Sequence, residues 1–424
     1  MNKRTFLKHA GLAGLGAMLS LDGIAQMVSK VSEIPLNELA SDEEFWASIR
    51  QGYRLKPDYI NLENGYYCFL PEQVLEKFIE HVREINYQGS WYMRKHKMEN
   101  KKAVAAKLAE TAGCSPEELV ITRNTTESMD LIIGGLDWKP GDEAVMAEQD
   151  YGAMLNMFRQ ISDRYGVVNK MVSVPNHPES DDEIVELYAS AITDKTRLLM
   201  VCHMINITGH ILPIRKICDM AHAKGVEVMV DGAHSFGHHS FSIPDLHCDY
   251  YGSSLHKWLS APLGSGILYV KKDKIANVWP LIASGIKEPD DIYRLNHTGT
   301  HPDHTDLAIA DALDFYHMIG PERKEARLRY IQNYWTSKVR DLPHVYLNTP
   351  EDPARSCAIA NVGVHGMEPS RLAEILFDKY RIFTVAINGA GVHGCRITPN
   401  IYTTTDELDV LVDALYNIKK SSLA

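Results

Sequence analysis

Gly252 to Val270 reads GSSLHKWLSAPLGSGILYV, and Lys257 stands in it where an ammonium is hard to place. The residues before it are small and apolar, like the end of a buried strand. After a glycine-punctuated turn a second strand follows, Gly266–Val270. Upstream, VDGAHSFGHH (230–239) ends another apolar run in Asp231, with His234 just beyond. A carboxylate at such a place asks for a cationic partner. A lysine at a crowded strand end can lose its charge readily and serve as a nucleophile.

Outward from this pair the chain alternates. Apolar runs at Leu119–Thr122, Ala144–Ala147, Arg197–His203, Val226–Asp231, Asp249–Ser253 and Gly266–Val270 predict strands, with helix-length stretches between several of them. IRKICDMAHAKG is one such stretch, and Gly225 is its stop signal. The pattern predicts a mainly parallel sheet covered by helices on both faces. The last two strands are too close for a helix between them, so one antiparallel member is expected. A long charged helix is predicted over roughly Asp311–Arg340. A smaller α/β segment follows, ending in TTDELDVLVDALYNIKK, which Thr404 or Thr405 can cap.

Ligands of open α/β sheets bind outside the carboxyl ends of the strands. After the first strand, Asn124 and Glu127 form a capping signature, which puts Thr125 and Thr126 in the first helical turn. A helix start of this kind attracts phosphate. After the second strand comes Tyr151, a flat surface for a ring. Singly, each has a plainer reading: an ordinary cap, a packing tyrosine, a structural ion pair at Asp231. Together with Lys257, Ser254 and His256 they make a set that one cofactor needs. Pyridoxal 5′-phosphate has a phosphate, a ring, a ring nitrogen kept protonated by a carboxylate, and an aldehyde that takes a lysine as an imine.

On VDGAHS … CDYYGSSLHKWLSAPLGSGILYV the chain resembles the class V, fold type I pyridoxal-phosphate enzymes: cysteine desulfurases, kynureninase and isopenicillin N epimerase. The likeness runs over about Asn61 to Leu415, and NLENGYYCFLP (61–71) is most similar to the isopenicillin N epimerase-like branch. The resemblance implies a large domain with a mainly parallel, mixed seven-stranded sheet and a smaller C-terminal α/β domain. It divides the chain into a 26–65 arm associated with the small domain, a 66–305 cofactor domain and a 306–424 small domain. It implies phosphate contacts from Thr125, Thr126, Ser254 and His256, ring stacking on Tyr151, and Asp231 on the ring nitrogen. His234 is implied near the ring hydroxyl, Asn206 near the ring, and Lys257 as the anchor. Thr300 is implied to reach the phosphate of the other subunit of a homodimer. Arg396, otherwise readable as a surface or interdomain ion pair, is implied to clamp a substrate carboxylate.

The expected activity is proton abstraction at Cα of an amino acid or a metabolite derived from one, giving epimerisation or transamination. A C–S lyase acting by β-elimination and a non-catalytic binding relative are the alternatives. A persulfide route is disfavoured, because the segment INGAGVHG is too short for a loop that carries a nucleophilic cysteine. The segment WYMRKHKMEN (91–100) is placed near the pocket entrance.

Composition agrees with a small-molecule enzyme. The chain has 424 residues, 45% hydrophobic and 23% charged, and a net charge of −11 that argues against nucleic acid. Seven scattered cysteines show neither zinc spacing nor a disulfide framework. Residues 1–25 read as a signal peptide with Lys3-Arg4 in twin-arginine style, so a periplasmic enzyme is expected, with a cytoplasmic one as the alternative. The apolar run is short for a bilayer span, so no membrane embedding is expected.

Overall fold

The computed structural model describes residues 21–418, so the expected export signal lies, up to residue 20, outside the described residues. Two-residue β1 (Ile60–Asn61) precedes the strands of a central sheet: β2 (Leu119–Thr122), β3 (Glu143–Ala147), β4 (Val168–Val172), β5 (Thr196–Cys202), β6 (Glu227–Asp231), β7 (Tyr250–Ser254) and β8 (Gly266–Val270). They pair in the order β2-β8-β7-β6-β5-β3-β4. Only β8 runs against its neighbours, β2 and β7. The six expected strands are present to within one residue at either end. The seventh, β4, is an edge strand whose Val168 and Met171 are exposed, and its VNKMV carries too little apolar pattern to be read.

Burial on both faces explains the apolar runs. Leu119, Ile121, Val145, Leu199, Val201, Val228 and Val230 enter one core, which continues into the rest of the molecule. Their neighbours Val120, Ala144, Met146, Leu198, Met200 and Met229 enter a second core on the opposite face. A period of two thus divides each strand between two cores. The helix Ile214–Ala223 ends at Lys224, and Gly225 follows at φ 74°, the left-handed position that stops it.

Strands β9 (Val345–Leu347), β10 (Ala360–Val364), β11 (Ile382–Phe383), β12 (Val385–Gly389) and β13 (Val392–Ile397) follow. Four of them form an antiparallel sheet, β12-β13-β10-β9, while β11 pairs with β1. Thr404, rather than Thr405, caps the last helix, Thr405–Asn417, in a capping box with Glu407. The expected long charged helix is two: His304–Ile319 and Pro321–Val339. Gly320 at φ 95° and Pro321 in the first turn break it. This Gly-Pro pair is a stop followed by a start. The first of the two helices packs on Glu72–Gln88 and Lys97–Ala112.

The N-terminal residues are tied into this body. Ile24 and Val28, in the helix Leu21–Lys30, are buried, so a cut after Ala25 would take Ile24 out of the core. Further on, Arg327 is only 1% exposed and pairs with Glu43. It also donates to the carbonyls of Ala40 and Thr403, joining the arm, the helix Pro321–Val339 and the C-terminal segment. All seven cysteines are free, and all but Cys114 are buried.

Arg327→Ala strands those carbonyls and the Glu43 carboxylate. It is expected to cost about 3 kcal/mol or more of stability. Thermal and denaturant unfolding of the purified protein check this; an unchanged midpoint in both rejects the tether.

Candidate active site

Because the sheet is parallel except for β8, the other strands deliver their carboxyl ends to one edge. In register there, Cys202 lies beside Asp231, and Asp231 beside Gly252. A cavity of about 290 Å³ opens over them. Thr125, Thr126, Tyr151, Asn206, Asp231, His234, Ser254, His256 and Lys257 line it from the loops after β2, β3, β5, β6 and β7, and Arg396 reaches it from β13. Thr300 stands apart, on an exposed turn outside the cavity of its own chain. WYMRKHKMEN forms the helix Ser90–Lys95 and the start of Lys97–Ala112, and none of its residues lines the cavity.

The helix Thr125–Gly135 begins at the cavity. Asn124 caps it, its Oδ1 accepting from the Glu127 amide at 2.9 Å. The Thr125 amide donates to Ser254 Oγ at 2.9 Å, and the two hydroxyls lie 2.7 Å apart. Thr126 adds one of the amides that a helix start leaves without an intrahelical partner. Gly266 makes this approach possible, since a Cβ there would stand 2.7 Å from Asn124 Cα. Beside it His256 Nδ1 is buried without a partner. Burial, then the Lys257 charge, lowers the His256 pKa to about 4, so the ring is neutral. Tyr151 is 50% exposed at the wall, a large ring with a bare surface.

Asp231 is 3% exposed, and its Oδ1 accepts from the Ala233 amide at 2.9 Å. Burial pushes its pKa up, against the opposing pull of that amide and of Lys257. A cation held against it would restore the charged form. Lys257 keeps accessible surface toward the cavity, while protein atoms surround it elsewhere. Burial is the main cause that brings its pKa down to about 8; Asp231 opposes the shift and Arg396 adds to it.

His234 settles where the protons sit. Trp258 Nε1, which can only donate, lies 3.2 Å from His234 Nδ1. The neutral ring therefore carries its proton on Nε2, which lies 3.0 Å from Lys257 Nζ. Burial and the Lys257 charge hold His234 neutral. An Nε2–H donor facing Nζ favours the free amine, whose lone pair can accept. Trp258 is itself placed by stacking on His238, with ring centroids 3.6 Å apart. His238 is fixed in turn, since its Nε2 accepts from the Ala358 amide and its Nδ1 donates to the His234 carbonyl.

Several residues at the site carry no sequence signal toward it. Trp258 reads as core beside the lysine. Glu63 lies in NLENGYYC and reaches Arg396 only through the fold, where its segment bridges Thr398. Tyr66 and Leu263, both strongly exposed, also line the cavity. The thiols are unsuited to nucleophilic attack: burial raises Cys357 and Cys395 to about 12 and Cys202, at the cavity wall, well above its usual range.

Known proteins match this chain over most of its length. The model of the family described as aminotransferase class-V matches residues 69–411. Isopenicillin N epimerase of Streptomyces clavuligerus is 26% identical over 387 residues, covering 87% of this chain and 97% of that protein. The apo cysteine desulfurase of Thermococcus onnurineus NA1 has a TM-score of 0.76 at 21% identity, covering 87% of this chain and 98% of that one. The cystine C–S lyase C-DES, in complex with its product cysteine persulfide, has a TM-score of 0.75 at 23% identity, covering 85% and 97%. At these identities the two structures share the fold, a fold type I sheet with a smaller α/β domain. With more than three-quarters of its length matched by the family model, the chain belongs to the aminotransferase class-V family.

Proposed function

We propose that this chain moves a proton at Cα of an amino acid or an amino-acid-derived metabolite, with epimerisation or transamination as the outcome. As a class V enzyme it uses pyridoxal 5′-phosphate. The residues present fit that group: a helix start whose Thr126 amide has no intrahelical partner, the orphaned His256 Nδ1, a half-bare Tyr151 ring, and a buried Asp231 short of a cation. Thr125, Thr126, Ser254 and His256 would hold the phosphate and Tyr151 the ring face. Asn206 and His234 would face the ring edge, with Asp231 on its nitrogen. When bound, the cofactor supplies an aldehyde for amines and an electron sink for charge released at Cα.

The observation that carries the reading is Lys257, whose pKa burial brings down to about 8 and whose Nζ lies 3.0 Å from the Nε2 of a His234 fixed by Trp258. An amine with a pKa of about 8 can accept a proton near neutral pH and return it, which general acid–base work requires. Arg396 orients the substrate through its carboxylate. A β-elimination reading starts from the same proton abstraction and needs only a leaving group on Cβ; the fold-sharing C–S lyase keeps it in view. Thr300, exposed and outside its own cavity, is assigned to the site of a second copy in a homodimer.

Reloading of the apoprotein with pyridoxal 5′-phosphate, followed by absorbance, is expected to accelerate with pH through about 8, as Lys257 loses its proton. Trp258→Phe keeps a ring on His238 but removes the donor to Nδ1. His234 can then accept from the ammonium, so the loading midpoint should move to higher pH. A midpoint that stays in place would sink the relay.

In deuterated water the holoenzyme should exchange the α-proton of its substrates, and Lys257→Ala should slow this by about 100-fold or more. Exchange read by NMR over the common amino acids and their enantiomers checks the proposal; silence across the set overturns it. Keto acid, ammonia and sulfide, measured separately, divide transamination from elimination. Sedimentation equilibrium of the purified protein should find a dimer; a monomer removes the role of Thr300.

A further inference from the structure

Arg396, which the proposed reading gives to the substrate, is already held by a carboxylate of the chain. Glu63 Oε2 accepts from Arg396 Nε at 3.3 Å, and Oε1 accepts from Nη2. This is the side-on bidentate edge of the guanidinium, and both side chains are less than one-tenth exposed. Nη1 donates to the Asn206 carbonyl at 3.3 Å. Gly65 lies against the group so closely that a Cβ there would stand 2.7 Å from Cζ. The neighbouring Asn64 is pinned to Thr398, its amide on Oγ1 at 2.7 Å and its side chain on the carbonyl at 2.6 Å. Glu63 is therefore fixed in place by backbone as well as by charge.

An incoming carboxylate must take the end-on edge of Arg396 or displace Glu63. In the first case two carboxylates share one buried guanidinium, where solvent screens their repulsion poorly; in the second Glu63 loses its partner while still nearly buried. We propose that Glu63 is a specificity-determining residue: it competes with the substrate carboxylate for Arg396 and sets the choice between α-amino acids and their uncharged derivatives. The inference rests on Arg396 being the carboxylate ligand. Glu63 also acts on the lysine side of the cavity, favouring the charged form of Lys257 that Arg396 disfavours. Removing its charge thus bears on both ends of a bound amino acid, and the test separates them.

The test titrates the holoenzyme with glycine and with glycinamide, following the cofactor absorbance. Both probes present the same amine, and only glycine has a carboxylate. Glu63→Gln is expected to lower the half-saturating glycine concentration by about tenfold or more, as for a buried charge competitor removed, and to leave glycinamide within about twofold. In an Arg396→Ala background the same substitution should leave glycine unchanged. Equal glycine affinities in wild type and Glu63→Gln overturn the proposal, as does equal tightening for both probes. If Glu63→Gln fails to fold, Glu63→Asp, which withdraws the carboxylate by one methylene, should give a smaller shift of the same sign and reads the same question. A wild-type protein that takes up no cofactor overturns the functional reading and this inference with it; a coloured protein indifferent to Glu63 overturns this inference alone.

Discussion

An amine whose charge burial makes costly is the constraint on which the rest of this molecule turns. Water would hold Lys257 as an ammonium; its place at the carboxyl edge of the sheet brings its pKa to about 8. Burial alone would leave the proton's position loosely set. The indole N–H of Trp258 fixes the His234 tautomer, and His234 then offers the amine a donor in place of an acceptor. Asp231 works against this, so the site balances a carboxylate that draws a proton toward the lysine and a histidine that does not. That balance suits an amine that must give up a proton and regain it.

The fold supplies the edge. Parallel pairing of β5, β6 and β7 puts Cys202, Asp231 and Gly252 abreast, and each loop beyond adds its own group to the cavity. The glycines are placed for approach: Gly266 admits the helix start that Asn124 caps, and Gly65 admits the guanidinium of Arg396. Among the described residues after 305 only Arg396 lines the wall, and Glu63 meets it from just beyond β1, which pairs with β11. The side facing the substrate is thus built by residues far apart in the chain.

This division explains what could be read in advance. Strands buried on both faces write themselves as apolar runs, and the groups at their ends follow in the next few residues, so Asp231, His234, Ser254, His256 and Lys257 were legible together. Arg396 was legible only through resemblance, since nothing local marks it. Edge strand β4 escapes the apolar pattern because two of its five residues are exposed and only one is buried, and the charged pattern runs on across Gly320-Pro321 although that dipeptide breaks the helix. Glu63 and Trp258 were invisible for another reason. Their roles exist only in contacts across the fold, one with a guanidinium 333 residues away and one with a histidine ring that itself had to be placed.

The sequestered thiols bear on where such a chain can survive. With Cys68, Cys202, Cys218, Cys248, Cys357 and Cys395 buried, an oxidant that meets the folded molecule finds Cys114 partly within reach and, through the cavity, the wall at Cys202. Cross-linking between folded copies is then confined to one position, and scrambling within a copy would first require unfolding. A chain of this design tolerates a thiol-hostile compartment only if it arrives there already folded.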